Sequence, residues 1–195
     1  SDKTQRALEA TNLRNNADAL GEGTHIIYAG DFNMQGSSEG AWTNMLASGN
    51  GQAFDTADSP GEWKDDETFK WLHSQNPRSP MDDRFDIIFV SDEFLDSNGI
   101  EYISNSYRVF GNNGTHTLND SISTGTGASP AVLTALEDAS DHLPIIADVN
   151  IPEAICTESP KADINGDCIV DFLDFSFLAS EWLDCRLDPE EKCWE

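Results

Sequence analysis

Residues 26–35 read IIYAGDFNMQ. An apolar, β-branched run ends in Gly30 and passes at once to an acid, an aromatic and an amide. Asp31 and Asn33 stand two apart, so on extended chain they point to the same side. Either this is a plain surface turn or it is the mouth of a site. Working outward, His25–Ala29 is predicted as a strand, and its near-continuous apolar character implies burial on both faces. Upstream, TQRALEATNLRNNADAL (4–20) carries Ala7, Leu8, Ala10, Leu13, Ala17 and Leu20 at mostly helical spacing, and the GEG that follows stops the helix.

Downstream, SEGAWTNML (38–46) reads as a short helix capped by Ser38. Residues 51–80 are turn-rich around ETFKWL, with Trp63, Trp71 and His73 read as packing or loop residues. RFDIIFVS (84–91) is the second strand, DEFLDS a helical turn and IEYISNSYRVF (100–110) a third strand. A long loop rich in Gly, Asn, Ser and Thr follows, of the kind that is functional or mobile. SPAVLTALEDAS is a helix with Ser129 as cap and Pro130 first, and LPIIADVNI (143–151) is the closing strand. Strands alternate with helices, which makes an α/β or layered α+β domain over residues 1–151. Residues 152–160 form a linker and 161–195 a small tail module.

The 195 residues carry 36 acids against 11 Lys and Arg, a net charge of -25. That excludes wrapping of nucleic acid by a broad basic face. It leaves room for a site that meets phosphate through a bound dication, which reverses the local field. No stretch reaches the roughly 20 apolar residues of a membrane span. All four cysteines, Cys156, Cys168, Cys185 and Cys193, fall in the last 40 residues. Without a CxxC pair or a nearby His, disulfides in an oxidising compartment are favoured over zinc, and four cysteines allow three pairings.

Three phrases, GDFN (30–33), DDRFD (82–86) and SDH (140–142), each lie at the end or start of an apolar strand. Singly they are weak. In this order and strand context they resemble the endonuclease/exonuclease/phosphatase superfamily, which includes deoxyribonucleases, abasic-site endonucleases, sphingomyelinases and inositol-phosphate phosphatases. The resemblance covers about residues 1–150 and implies a deoxyribonuclease-like sandwich of two sheets flanked by helices. It carries these roles over: Asp31 handles the attacking water, Asn33 donates to phosphate, and Asp141 is a ligand of Mg²⁺ (or Mn²⁺). His142 contacts the phosphate and moves a proton, Asp86 orients His142, and Ser140 shapes the turn. Arg84, Arg108 and His116 are further candidates for phosphate or cleft contacts.

The resemblance also implies an N-terminal half that supplies a metal-binding Glu. The chain begins within the helix before GDFN, so a fragment, or one half of a split protein, is expected, with an apolar sheet face left uncovered. The expected activity is that of a secreted nuclease or phosphodiesterase acting on DNA or RNA. The alternatives are a phosphatase or sphingomyelinase-like enzyme, and, in another class, an inactive fragment that serves as a calcium-dependent anchor.

In the tail, DINGDCIVDFLD (163–174) sets Asp163, Asn165, Asp167, Asp171 and Asp174 at positions 1, 3, 5, 9 and 12 of a twelve-residue loop, with the Ile169 carbonyl at 7. This spacing wraps one Ca²⁺. FSFLASEWL after it is apolar at helical intervals. The segment resembles a single dockerin repeat, which implies a cohesin-like partner and a secreted bacterial origin. Position 6, normally Gly, is Cys168, which forces a left-handed backbone on a residue with a Cβ. A Cys168–Cys185 bridge is the pairing guessed for this loop and helix.

Overall fold

The computed structural model describes residues 2–96, 99–152 and 160–181. The chain divides into two compact units, Ser1–Pro152 and Glu153–Glu195. The first is a mixed α/β unit with small antiparallel sheets.

It opens with α1, Lys3–Asp18, capped by the Asp2 carboxylate, which accepts from the Gln5 N–H at 2.9 Å. The face it buries differs from the one its leucines predict. Leu8, Leu13 and Leu20 are exposed, while Arg6, Ala10, Arg14 and Ala17 are buried. The reason lies in α2, Gly40–Leu46, against which α1 packs. Arg14 donates to the carbonyls of Asn44, Met45 and Ala47 at 2.6–3.0 Å, closing the orphaned end of α2 with a cation. Arg6 pairs with the buried Glu39, which precedes α2. Small alanines let the two helices approach closely enough for these long side chains to reach across.

Strand β1, Ile27–Asp31, pairs antiparallel with β3, Asp86–Val90, and β3 pairs in turn with β2, Phe54–Asp55. The sheet order is β1-β3-β2. The central β3 is buried along four of its five residues, as its DIIFV run requires. In β1 only Tyr28 is buried, so the expectation of burial on both faces is corrected: β1 has β3 as its single paired neighbour among the described residues. The Tyr28 hydroxyl donates to Gly51 O at 2.6 Å.

The two long strands predicted over 100–110 and 143–151 are each broken in the middle. They form β4 (Glu101–Tyr102) with β7 (Val149–Asn150) and β5 (Arg108–Val109) with β6 (Ile145–Ile146). Asn105 takes a positive φ of 62° in the first break, and Asp148 in the second accepts both guanidinium nitrogens of Arg108. Helix α3, Pro130–Ala139, starts after Ser129 as expected. The core gathers Met34, Met45, Trp63, Met81, Ile87 and Phe89, all fully buried, with Trp42 edge-on to Trp63 at 5.2 Å.

In the second unit, α4 spans Phe172–Ser180 behind a capping box made by Asp171 and Asp174. Among the described residues no helix is long and apolar enough to cross a membrane.

Candidate active site

The antiparallel register sets Asp31, the last residue of β1, directly opposite Asp86, the first of β3. Two carboxylates 55 positions apart in sequence thus lie side by side at one edge of the sheet. Beyond Asp31 the chain turns through Asn33 with φ 51°. The Asp31 carboxylate holds that turn, accepting the Asn33 backbone N–H at 2.7 Å and its side-chain amide at 2.9 Å.

The turn from α3 into β6 brings the third phrase to the same place. Ser140 Oγ accepts the His142 N–H at 3.1 Å, Asp141 O accepts the Asn76 N–H at 2.7 Å, and Ser74 O accepts the Leu143 N–H at 2.7 Å. Backbone bridges tie Gln75 to both Asp83 and His142. So held, His142 places Nδ1 2.8 Å from Asp86 Oδ2 and Nε2 4.0 Å from Asp31 Oδ2. An ionised carboxylate only accepts, so Nδ1 carries the proton toward Asp86 and Nε2 is the exchangeable nitrogen facing Asp31. Burial pulls the imidazole pKa down. The hydrogen bond and charge of Asp86, with the charges of Asp31 and Asp141, more than reverse this, and the net shift is upward.

Asp31, Asn33, Asp86 and His142 therefore converge. Asp141 is exposed and close enough to favour the protonated imidazole. Asp31 and Asn33 border a depression of about 320 Å³ beside Arg6, Glu9 and Leu13, whereas Asp141 borders another of about 380 Å³ beside Asn76, Arg78 and Ser140. His142 Nε2 lies 4.0 Å from Asp31 Oδ2, while Asp141 acts on the ring through its charge, so the two acids open onto separate depressions. Both acids offer hard oxygen donors, the type Mg²⁺ takes one or two of while keeping its waters, so the donor chemistry fits. Among the described residues there is no group of three or more His, Cys, Asp or Glu able to hold a metal by themselves.

Three sequence candidates lie elsewhere. Arg84 is fully buried and clamps Asp55 through two hydrogen bonds of 3.0 and 2.5 Å, with its guanidinium 4.9 Å from the Trp63 ring and 5.6 Å from that of Tyr107. Its charge is spent on a core ion pair and does not reach a phosphate. Arg108 is committed to Asp148. His116 is fully buried, so it lines no open cleft. Its pKa is pushed down to about 4, chiefly by burial, with the charges of His73 and Lys70 adding to it.

Two contributors carry no sequence signal. Ser74 Oγ donates to Asp86 Oδ2 at 2.6 Å, the same oxygen that meets His142, and so fixes the rotation of that carboxylate. Tyr107, its own pKa pushed up to about 12 mainly by burial, donates to Asp86 O at 3.1 Å. Only strand pairing reveals either.

In the tail, the loop acids turn onto backbone N–H groups. Asp163 accepts from Gly166, Asp167 and Cys168, and Asp174 from Ile164, Asn165 and Asp171. Cys168 has φ 70° and is disulfide-bonded. Cys156, Cys185 and Cys193, and with them the Cys168–Cys185 pairing, lie outside the described residues.

No protein-family model, curated protein or solved structure matches the chain.

Proposed function

We propose that residues 1–151 carry the catalytic residues of a Mg²⁺-dependent phosphoester hydrolase of the endonuclease/exonuclease/phosphatase type, a secreted nuclease or phosphodiesterase first. A phosphatase or sphingomyelinase-like activity is the alternative within the same chemistry. One observation carries the reading: three phrases spread over 110 residues of sequence meet around the His142 ring, with Asp86 on Nδ1 at 2.8 Å and Asp31 toward Nε2 at 4.0 Å.

In this reading Asp31 takes the proton of the attacking water and Asn33 donates to a phosphoryl oxygen, which an amide does without repulsion. The Asp31–Asn33 hydrogen bond opens to do so. His142, held in one tautomer by Asp86, faces the phosphate with Nε2 and takes up or gives the proton there. Asp141 would hold the Mg²⁺, which when bound would neutralise phosphate charge and lower the pKa of water.

The tail reading is a Ca²⁺ loop and helix that anchors the enzyme to a cohesin-like partner outside the cell. What favours it is the loop wound around Asp163 and Asp174, with the left-handed Cys168 at position 6.

The test measures cleavage of supercoiled plasmid DNA and of bis(p-nitrophenyl) phosphate with Mg²⁺. It uses this chain, and any longer polypeptide that contains it, each against its Asp31→Ala and His142→Ala variants. Loss of turnover in both variants supports the reading. Variants that turn over at the parent rate remove it and leave the calcium-dependent anchor.

A further inference from the structure

Two histidines outside the Asp86–His142 pair have no place in that chemistry. His73 and His116 are each fully buried, their ring centroids 6.2 Å apart. His73 Nε2 meets Trp63 O at 2.8 Å, but His73 Nδ1 and both ring nitrogens of His116 lack a hydrogen-bond partner. Buried imidazoles without acceptors are stable only when neutral.

The groups around them do not relieve this. Asp82, Asp83 and Asp66 face His73, and Lys64 already pairs with Asp82 and Asp83 at 3.3 Å. Lys70 and Glu67 face His116, with Lys70 donating to His116 O at 2.7 Å. The Met81 backbone favours the charged form of both rings, but less than burial opposes it. A proton on one imidazole also opposes a proton on the other.

The pair is wired to the site by sequence adjacency. His73 O accepts from the Asn112 side chain at 2.9 Å, and Gly125 lies so close behind His116 that a Cβ there would sit 3.0 Å from the His116 nitrogen. The pair thus seats the loop of residues 111–125. The next residue after His73 is Ser74, which is fully buried, grips Asp86 Oδ2 and bears the Leu143 N–H that follows His142.

We propose that His73 and His116 form an acid-operated latch: protonation expels the pair from the core, loosens residues 111–125 and draws Ser74 away from Asp86, uncoupling Asp86 from His142. The latch is a property of the fold and stands whether or not the site hydrolyses phosphoesters. The depressed proton affinity of both rings agrees with it.

Hydrogen exchange of the whole chain, corrected for intrinsic rates, tests it between pH 7 and pH 4.5. Expected is a loss of protection at 73–75, 111–125 and Leu143 roughly tenfold greater than at α1 and α2. In His116→Phe that excess disappears. An even loss across the domain, or the same excess loss in His116→Phe, overturns the proposal. Imidazole ¹⁵N shifts of the unmodified chain give a second reading should that variant not fold. Both rings take up protons below the range of free imidazole and together with the loss of protection; rings that charge while protection at 111–125 is intact overturn the latch.

Discussion

Replacing Arg84 by methionine separates two roles for one cation. In the structure its side chain is fully buried and its partner Asp55 only 5% exposed, joined by two parallel hydrogen bonds. Asp55 also accepts the N–H groups of Ala57 and Ser59 at 3.2 and 3.1 Å, so it cannot swing out to water without breaking a turn. Arg84→Met therefore leaves a carboxylate buried and uncompensated, which costs about 3–5 kcal/mol. Methionine keeps apolar packing against Trp63 and Tyr107 but loses the cation–π contacts of the guanidinium. With a urea m-value of about 1.5 kcal/mol/M, the midpoint falls by about 2–3 M. Adding Asp55→Asn removes the stranded charge while keeping an acceptor for one of Ala57 and Ser59, and it recovers about half of the loss. Urea unfolding followed by tryptophan fluorescence reads all three proteins. A midpoint within 0.3 M, roughly 0.5 kcal/mol, of the parent, together with weakened binding of inorganic phosphate, would refute the buried-pair assignment and restore Arg84 to the site.

Asp86→Asn and His142→Ala each lower phosphodiester turnover by about 10²–10⁴, the usual share of a positioned acid–base group, as measured by initial rates at saturating Mg²⁺; rates within threefold (roughly 0.7 kcal/mol) contradict the assigned roles. The stability of the first unit falls as pH drops from 6.5 toward 4, because the unfolded chain takes up a proton at His116 that the native one refuses until about 4. The loss approaches about 3 kcal/mol and is absent from the stability curve of His116→Phe. His142 has the opposite sign: its raised pKa adds stability below 6.5 that is lost as pH rises through the folded value. Gly51→Ala puts a methyl 2.5 Å from the Ala17 Cβ and 3.0 Å from the Tyr28 hydroxyl, and a thermal melt should show about 1–3 kcal/mol of overpacking cost. Calorimetry of the tail gives a Ca²⁺ heat that Asp163→Ala abolishes; no heat in the parent ends the calcium assignment.

Periodicity and punctuation carried the reading where local chemistry dominates. Helix α3 starts at Pro130 after Ser129, and Asp86–Val90 is a strand because a DIIFV run has no other comfortable state. The same reasoning misjudged α1, whose leucines face solvent. There a periodic apolar pattern lost to two arginines that satisfy Glu39 and the carbonyl end of α2, partners that no local window contains. It misjudged the strands at 100–110 and 143–151 likewise: their alternation runs on through Asn105 and Asp148, yet Asn105 takes a positive φ and neither residue lies in a paired strand.

At the site, the side-chain types were written in the chain, for GDFN, RFD and SDH present a carboxylate, an amide and an imidazole at strand ends. Their meeting was not. Only the antiparallel register, Asp31 against Asp86, and the Ser74 and Gln75 bridges to His142 and Leu143 decide that one ring lies between two acids. Side-chain type is a local property that sequence states outright. Which charges are left free is a global one, because every burial and pairing elsewhere, Arg84 and His116 above all, must first be settled by the packing.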